Sequence, residues 1–143
     1  MTYKRPESVL VVVYSKASEV LLLRRVEPAD FWQSVTGSLE ADETPARTAV
    51  RELTEETGFV GVTPIDCDHS NRFKIFPVFR YRYPPGVEYN TEHVFRLCVP
   101  TAHEIRLDNS EHHEYRWLPK RDAVDLVSSY TNRDAIIAWV PDK

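Results

Sequence analysis

Long apolar runs, a cysteine framework and an excess of positive charge are missing from this sequence, and each absence removes a class of protein. The longest unbroken apolar stretch, Val9 to Tyr14, falls far short of the ~20 residues that a membrane-spanning helix needs. The opening residues Met1-Thr2-Tyr3-Lys4-Arg5-Pro6 lack a secretory signal pattern, so a cytoplasmic protein with no membrane partner is expected. Only two cysteines occur, Cys67 and Cys98, without CxxC spacing. They read as buried free thiols rather than a disulfide or a metal-binding pair. Acidic residues outnumber basic ones, 22 to 18, for a net charge of −4, which argues against bulk nucleic-acid binding. A local basic patch holding one small phosphate ligand remains compatible with that balance.

What is present suits one soluble domain spanning residues 1–143. The hydrophobic fraction is 42% and the charged fraction 28%, and no repeat, low-complexity segment or linker interrupts the chain. The valine-rich segment Ser8 to Tyr14 and the segment Val20 to Leu23 suggest two strands joined by a short turn. Phe31 to Thr36 reads as a further strand ending at Gly37. From Glu43 to Thr57 the period becomes helical: Ala46, Ala49, Val50 and Leu53 share one spacing, Thr44 can cap, Pro45 suits the first turn and Gly58 the stop. Phe73 to Tyr83, aromatic and alternating, and Val94 to Val99 suggest paired strands around the turn Pro84-Pro85-Gly86. Tyr115 to Leu118 adds another strand. Two helices follow Pro119, the second with Asn132 as a cap candidate.

On the predicted helix Glu52, Glu55 and Glu56 stand at i, i+3 and i+4, which gathers three carboxylates on one face. A solvated acidic face is the plain alternative, because like charges at that spacing cost only ~0.2–0.5 kcal/mol on an exposed helix. The surrounding residues favour a metal site. Gly37, Glu43, Arg51-Glu52-Leu53, Glu55-Glu56, Gly58 and Phe59 fill nine defined positions within 23 residues, and this run resembles the Nudix box throughout.

The Nudix resemblance implies an α/β/α sandwich around a mixed β-sheet, with the box spanning residues 37–59. It implies hydrolysis of a phosphoanhydride with Mg²⁺ as cofactor, for which Mn²⁺ can substitute; such hard cations take carboxylates, waters and substrate phosphates as ligands. By resemblance Glu52 and Glu56 are the leading ligands, and Glu55 is a ligand or a neighbour of the ligands that helps orient water. Arg51 and Glu43 read as a structural ion pair, with direct catalysis by Arg51 as the alternative. Glu111, in the loop before Tyr115, is a candidate ligand or general base, against the alternative of a solvated loop residue; sequence does not rank it against Glu56. His112 and His113 lack the spacing of a zinc site.

The resemblance continues outside the box, in Tyr3-Lys4-Arg5-Pro6, Phe31 to Ser38, Phe73 to Phe76, Arg82 to Val87 and Asn90-Thr91-Glu92. These segments are similar to one group of the family, the bacterial dihydroneopterin triphosphate pyrophosphatases of folate biosynthesis. The resemblance implies a small-molecule triphosphate partner, cut to the monophosphate and pyrophosphate. Lys4 and Arg25 are then candidates for the phosphates, against ordinary surface charge. Phe73, Lys74, Ile75 and Phe76 are candidates for the ring, against a core role for the two phenylalanines. Thr36 and Ser129 are candidate polar contacts, against turn or capping roles. Arg80 and Arg82 read as one face of a strand, with a phosphate role as the alternative. Competing readings are a house-cleaning (deoxy)nucleoside triphosphate pyrophosphatase, a dinucleoside polyphosphate or capped-RNA hydrolase, and a non-catalytic nucleotide sensor. The assembly expected is a monomer or weak homodimer.

Overall fold

A computed structural model describes residues 2–142. The chain runs β1 (Glu7–Ser15), β2 (Glu19–Arg25), β3 (Trp32–Gln33), β4 (Val35–Ser38), α1 (Pro45–Thr57), β5 (Ile65–Lys74), a 3-10 segment (Pro77–Arg82), β6 (Tyr89–Val99), β7 (His112–Pro119), α2 (Lys120–Leu126) and α3 (Tyr130–Trp139). All seven strands join one mixed sheet. β1 is its spine, parallel to β6 over the whole of its length and antiparallel to β2 and β4.

β1 is buried on both faces, which explains its continuous valine run. Val9, Val11 and Val13 join one core cluster with Ala49 and Leu53 of α1, whereas Leu10, Val12 and Tyr14 join a second with Ala123, Ala135 and Ile136 of the C-terminal helices. The result is the helix–sheet–helix sandwich expected. The pleat therefore gives each neighbouring strand an α1 side and an α3 side.

Helix α1 begins where the Thr44 hydroxyl accepts a hydrogen bond from the Arg47 amide at 3.3 Å. It ends at Gly58, whose φ of 81° is a left-handed geometry that glycine adopts without strain. Its buried stripe is rotated from the one expected. Ala49 and Leu53 are in the core, but Val50 is exposed and Glu52 and Glu56 are buried instead. The carboxylates thus lie against the sheet, not in solvent.

Four other expectations need correction. The strand predicted over Phe73 to Tyr83 is β5 for residues 65–74 followed by the 3-10 segment, because Pro77 has no amide proton to continue a ladder. Residues 31–36 form two strands broken at Ser34, whose amide donates to Asn132 Oδ1 at 2.8 Å. Helix α3 is capped by Ser129, which accepts from the Asn132 amide, so Asn132 is not the cap. Both cysteines are free, yet Cys98 is exposed and Cys67 only half-buried.

Candidate active site

Arg51 organises the N-terminal half of the site. Its guanidinium forks onto Glu43, with Nε at 2.7 Å from Oε2 and an Nη at 2.9 Å from Oε1. The same group reaches Glu52 Oε1 at 2.6 Å, Glu55 Oε2 at 3.1 Å and the Ser38 carbonyl at 3.1 Å. It therefore ties the loop 38–43 to α1 and fixes one oxygen of Glu52. Arg51 thus contacts Glu43, Glu52 and Glu55 together.

Arg51 holds the Glu43 carboxyl down at about 2, with hydrogen bonds from the Glu40 amide and the Thr48 hydroxyl assisting. A carboxyl depressed on folding supports stability above its ordinary value near 4.5 and surrenders it as pH falls towards 2. Glu43→Gln is expected to cost roughly 1–2 kcal/mol at pH 6, allowing for solvent at this partly exposed pair. In urea melts the gap between parent and variant should close as pH approaches 2. A gap independent of pH would show that the ion pair is not its source.

Glu52 and Glu56, one helical turn apart, face β4. Gly37 makes that approach feasible, since a Cβ at this position would lie 2.2 Å from Glu52 Cδ. Glu56 is 1% exposed, and its Oε1 is buried with no hydrogen-bond partner. Burial, then the hydrogen bond and charge of Glu52, push its carboxyl well above the usual range, and the Glu111 charge adds to the effect. Burial raises Glu52 as well, against the pull of Glu56 and Arg51. Two buried carboxylates with an unfilled oxygen are poorly satisfied by protein alone and fit a divalent cation. No three His, Cys, Asp or Glu side chains form a ready-made cage among the described residues, which suits a cation that takes much of its shell from water and substrate.

Beside this pair opens a cavity of about 520 Å³. Glu52, Gly37, Thr36 and Glu111 line its acidic end. Lys4, Arg25 and Arg82 also line it, and none of the three makes an ion pair among the described residues. Crowding by protein, followed by Arg82, lowers the pKa values of both Lys4 and Arg25. The guanidinium of Arg25 lies 5.2 Å from the Phe79 ring centre, and that of Arg82 lies 5.4 Å from it. Phe31, Phe76 and Phe79 form an edge-to-face and stacked trio with centroids 5.5–6.3 Å apart. Phe73 and Ile75 also line it, and the buried polar residues Ser8, Asn90 and Glu92 form its floor.

The cavity gathers Lys4, Arg25, Thr36, Phe73, Ile75, Phe76, Glu111 and Ser129 from the sequence candidates. Lys74 is left outside, because strand alternation turns it to the exposed face of β5. Glu55 is half-exposed and held by Arg51. The Thr36 hydroxyl is engaged with the Val9 carbonyl at 2.8 Å, and Ser129 is the cap of α3. His112 is buried against Gln33, and burial lowers its pKa to about 4, which keeps it neutral. Sequence reasoning held Arg82 only as an alternative phosphate contact and missed Phe79, Asn90 and Glu92 as parts of the cavity. Asn90 and Glu92 carried a readable signal: continuing the inward phase of Val94 back along β6 buries two polar residues.

The NUDIX domain model matches residues 4–140. The chain belongs to the Nudix family. Within it, the chain is 46% identical over 143 residues to the dihydroneopterin triphosphate diphosphatase of Escherichia coli (strain K12), covering 96% of this chain and 94% of that protein. The Haemophilus influenzae dihydroneopterin triphosphate diphosphatase is 44% identical over 141 residues, covering 95% and 88%. The solved structure of the E. coli dihydroneopterin triphosphate pyrophosphohydrolase superposes with a TM-score of 0.93 at 43% identity, over 98% of each chain. Nudix hydrolases generally depend on divalent metals, in keeping with the buried carboxylate pair. No helix among the described residues is long and apolar enough to cross a membrane.

Proposed function

We propose that this Nudix protein hydrolyses dihydroneopterin triphosphate to the monophosphate and pyrophosphate, with Mg²⁺ or, as a substitute, Mn²⁺. The observation that carries the reading is one cavity lined by an aromatic and polar ring pocket, by three cations without ion-pair partners among the described residues, and by Glu52, whose buried neighbour Glu56 lies one helical turn further on. The similarity to diphosphatases of that name supports the choice of substrate.

In this reading Glu52 and Glu56 hold the metal, with Glu55 and Glu111 completing its surroundings. The bound ion would neutralise phosphate oxygens and make a water more acidic. Lys4, Arg25 and Arg82 place the triphosphate along the line from ring pocket to helix. A water oxygen forms a bond to phosphorus, the bridging P–O bond breaks, and pyrophosphate departs. The proton of that water goes to Glu56 or Glu111. Gly37 admits Glu52, and Arg51 keeps it from swinging away. The 143 residues act as a single domain in this scheme.

Pyrophosphate release should be measured with Mg²⁺ for dihydroneopterin triphosphate and a panel of (deoxy)nucleoside triphosphates under one condition. The highest kcat/KM is expected for the pterin; a nucleotide ahead by tenfold or more would overturn this substrate. Arg82→Ala is expected to raise KM by ~10-fold or more while changing kcat less, because a charge-assisted contact contributes ~1.5–3 kcal/mol. An unchanged KM and salt dependence would remove Arg82 from the phosphate path.

A further inference from the structure

The floor of the cavity is short of hydrogen-bond donors. Glu92 is 5% exposed; the Asn71 side-chain amide donates to it at 3.3 Å and is itself hydrogen-bonded to His69, and the Thr131 hydroxyl donates as well. No Lys, Arg or His pairs with it among the described residues. Asn90, two positions earlier on the same face of β6, is 3% exposed. Its amide nitrogen donates to Ser8 Oγ at 2.8 Å, while its Oδ1 is buried without a partner. Two acceptors, one of them charged, therefore face the same cavity with capacity unfilled. Left so, they would carry the desolvation penalty of buried polar atoms with little return.

Ligand chemistry follows from that shortage. The occupant must present an edge of N–H donors at the spacing of a carboxylate, as an exocyclic amino group beside a ring N–H does. A 2-amino-4-oxo pyrimidine ring carries such an edge, and guanine carries it too. Adenine, cytosine and uracil do not, because an acceptor or a bare carbon replaces one of the two donors. The aromatic trio beside the floor offers hydrophobic surface to a flat heterocycle.

We infer that Glu92 is the specificity-determining residue of this enzyme: its carboxylate accepts from the amino group and ring N–H of a 2-amino-4-oxo heterocycle, with Asn90 Oδ1 as a further acceptor. The inference rests on the proposed substrate and names the side chains that select it. The floor is held rigidly. Thr131 lies in the first turn of α3, and the neighbouring Asn132 is bound through both side-chain atoms to Ser34, at 2.8 and 2.9 Å.

The test compares parent and Glu92→Gln on three triphosphates: dihydroneopterin triphosphate, guanosine triphosphate, and inosine triphosphate, which differs from guanosine triphosphate only by the missing amino group. The parent should favour guanosine over inosine triphosphate by tenfold or more in kcat/KM. Glu92→Gln should lower kcat/KM for the pterin and guanosine substrates by ~30–100-fold, chiefly through KM, and bring the guanosine-to-inosine ratio near unity. Its melting temperature should match or exceed the parent's, since an unpaired buried charge has gone. A merely structural Glu92 would lower the melting temperature and depress all three substrates alike, which overturns the inference. If the variant does not fold, the parent's guanosine-to-inosine ratio decides, and a ratio near one rejects it. Should the parent prefer guanosine triphosphate to the pterin while Glu92→Gln still erases the ratio, the pterin reading fails and the role of Glu92 stands.

Discussion

Replacing Glu56 by glutamine is expected to reduce turnover by ~10²–10⁴-fold while leaving the metal-free protein at least as stable as its parent. The two effects have one origin. Glu56 is almost wholly buried, sits beside Glu52, and has one oxygen with no protein partner. In the folded protein alone this is an expense, so an amide of the same shape relieves it. The carboxylate becomes useful only when a cation or a water proton arrives. Glu111→Gln is the matched comparison, since Glu111 lies exposed at the cavity wall and its carbonyl accepts from the Val26 amide at 2.8 Å, an interaction the change does not touch. Steady-state rates with Mg²⁺ and metal-free melting curves would be measured for both variants. A Glu56→Gln enzyme that kept a tenth of parental turnover would exclude Glu56 from the essential machinery, and equal losses in both variants would end any single-base assignment.

Gly37→Ala should separate activity from stability even more sharply. The added Cβ would stand 2.2 Å from Glu52 Cδ and 2.5–2.6 Å from both carboxylate oxygens. Those atoms are the end of a flexible side chain, so Glu52 can rotate away and the fold should lose no more than ~1–2 kcal/mol. Displacement of that carboxylate by even ~1 Å can cost ~10²-fold in rate. The expected outcome is therefore a folded protein with about a hundredth of parental kcat and weakened dependence on Mg²⁺ concentration. If the alanine variant retained full activity, the close approach at Gly37 would have no bearing on the position of Glu52.

Much of the chemistry was legible in the chain because its positions are local. Arg51, Glu52 and Glu56 fall on one helix, where spacing alone fixes relative direction, and Gly37 lies on the short strand β4 just before it. The caps of α1 were legible for the same reason. The strand boundaries around residues 65–83 were not, because β5 is a polar edge strand whose pairing with β6 is a tertiary matter. The aromatic sequence there also alternates without forming a strand, since Phe76 and Phe79 turn inward from a 3-10 segment to meet Phe31. Arg82 enters the cavity from that same segment, so its role depended on an element that alternation misnamed. The rotation of α1 that buries Glu52 and Glu56 at the expense of Val50 depends on how closely β4 approaches, which no helical period encodes.

The two faces of the sheet have a consequence for descent. Gly37 directs its approach to the α1 side, while Thr36 next to it, with Ser8, Asn90 and Glu92, belongs to the α3 side. In the proposed reading, bond breaking and ring choice are thus carried on separate surfaces of the same strands. A duplicated gene could trade one heterocycle for another through substitutions at positions 8, 90 and 92 while the carboxylate helix stays as it was.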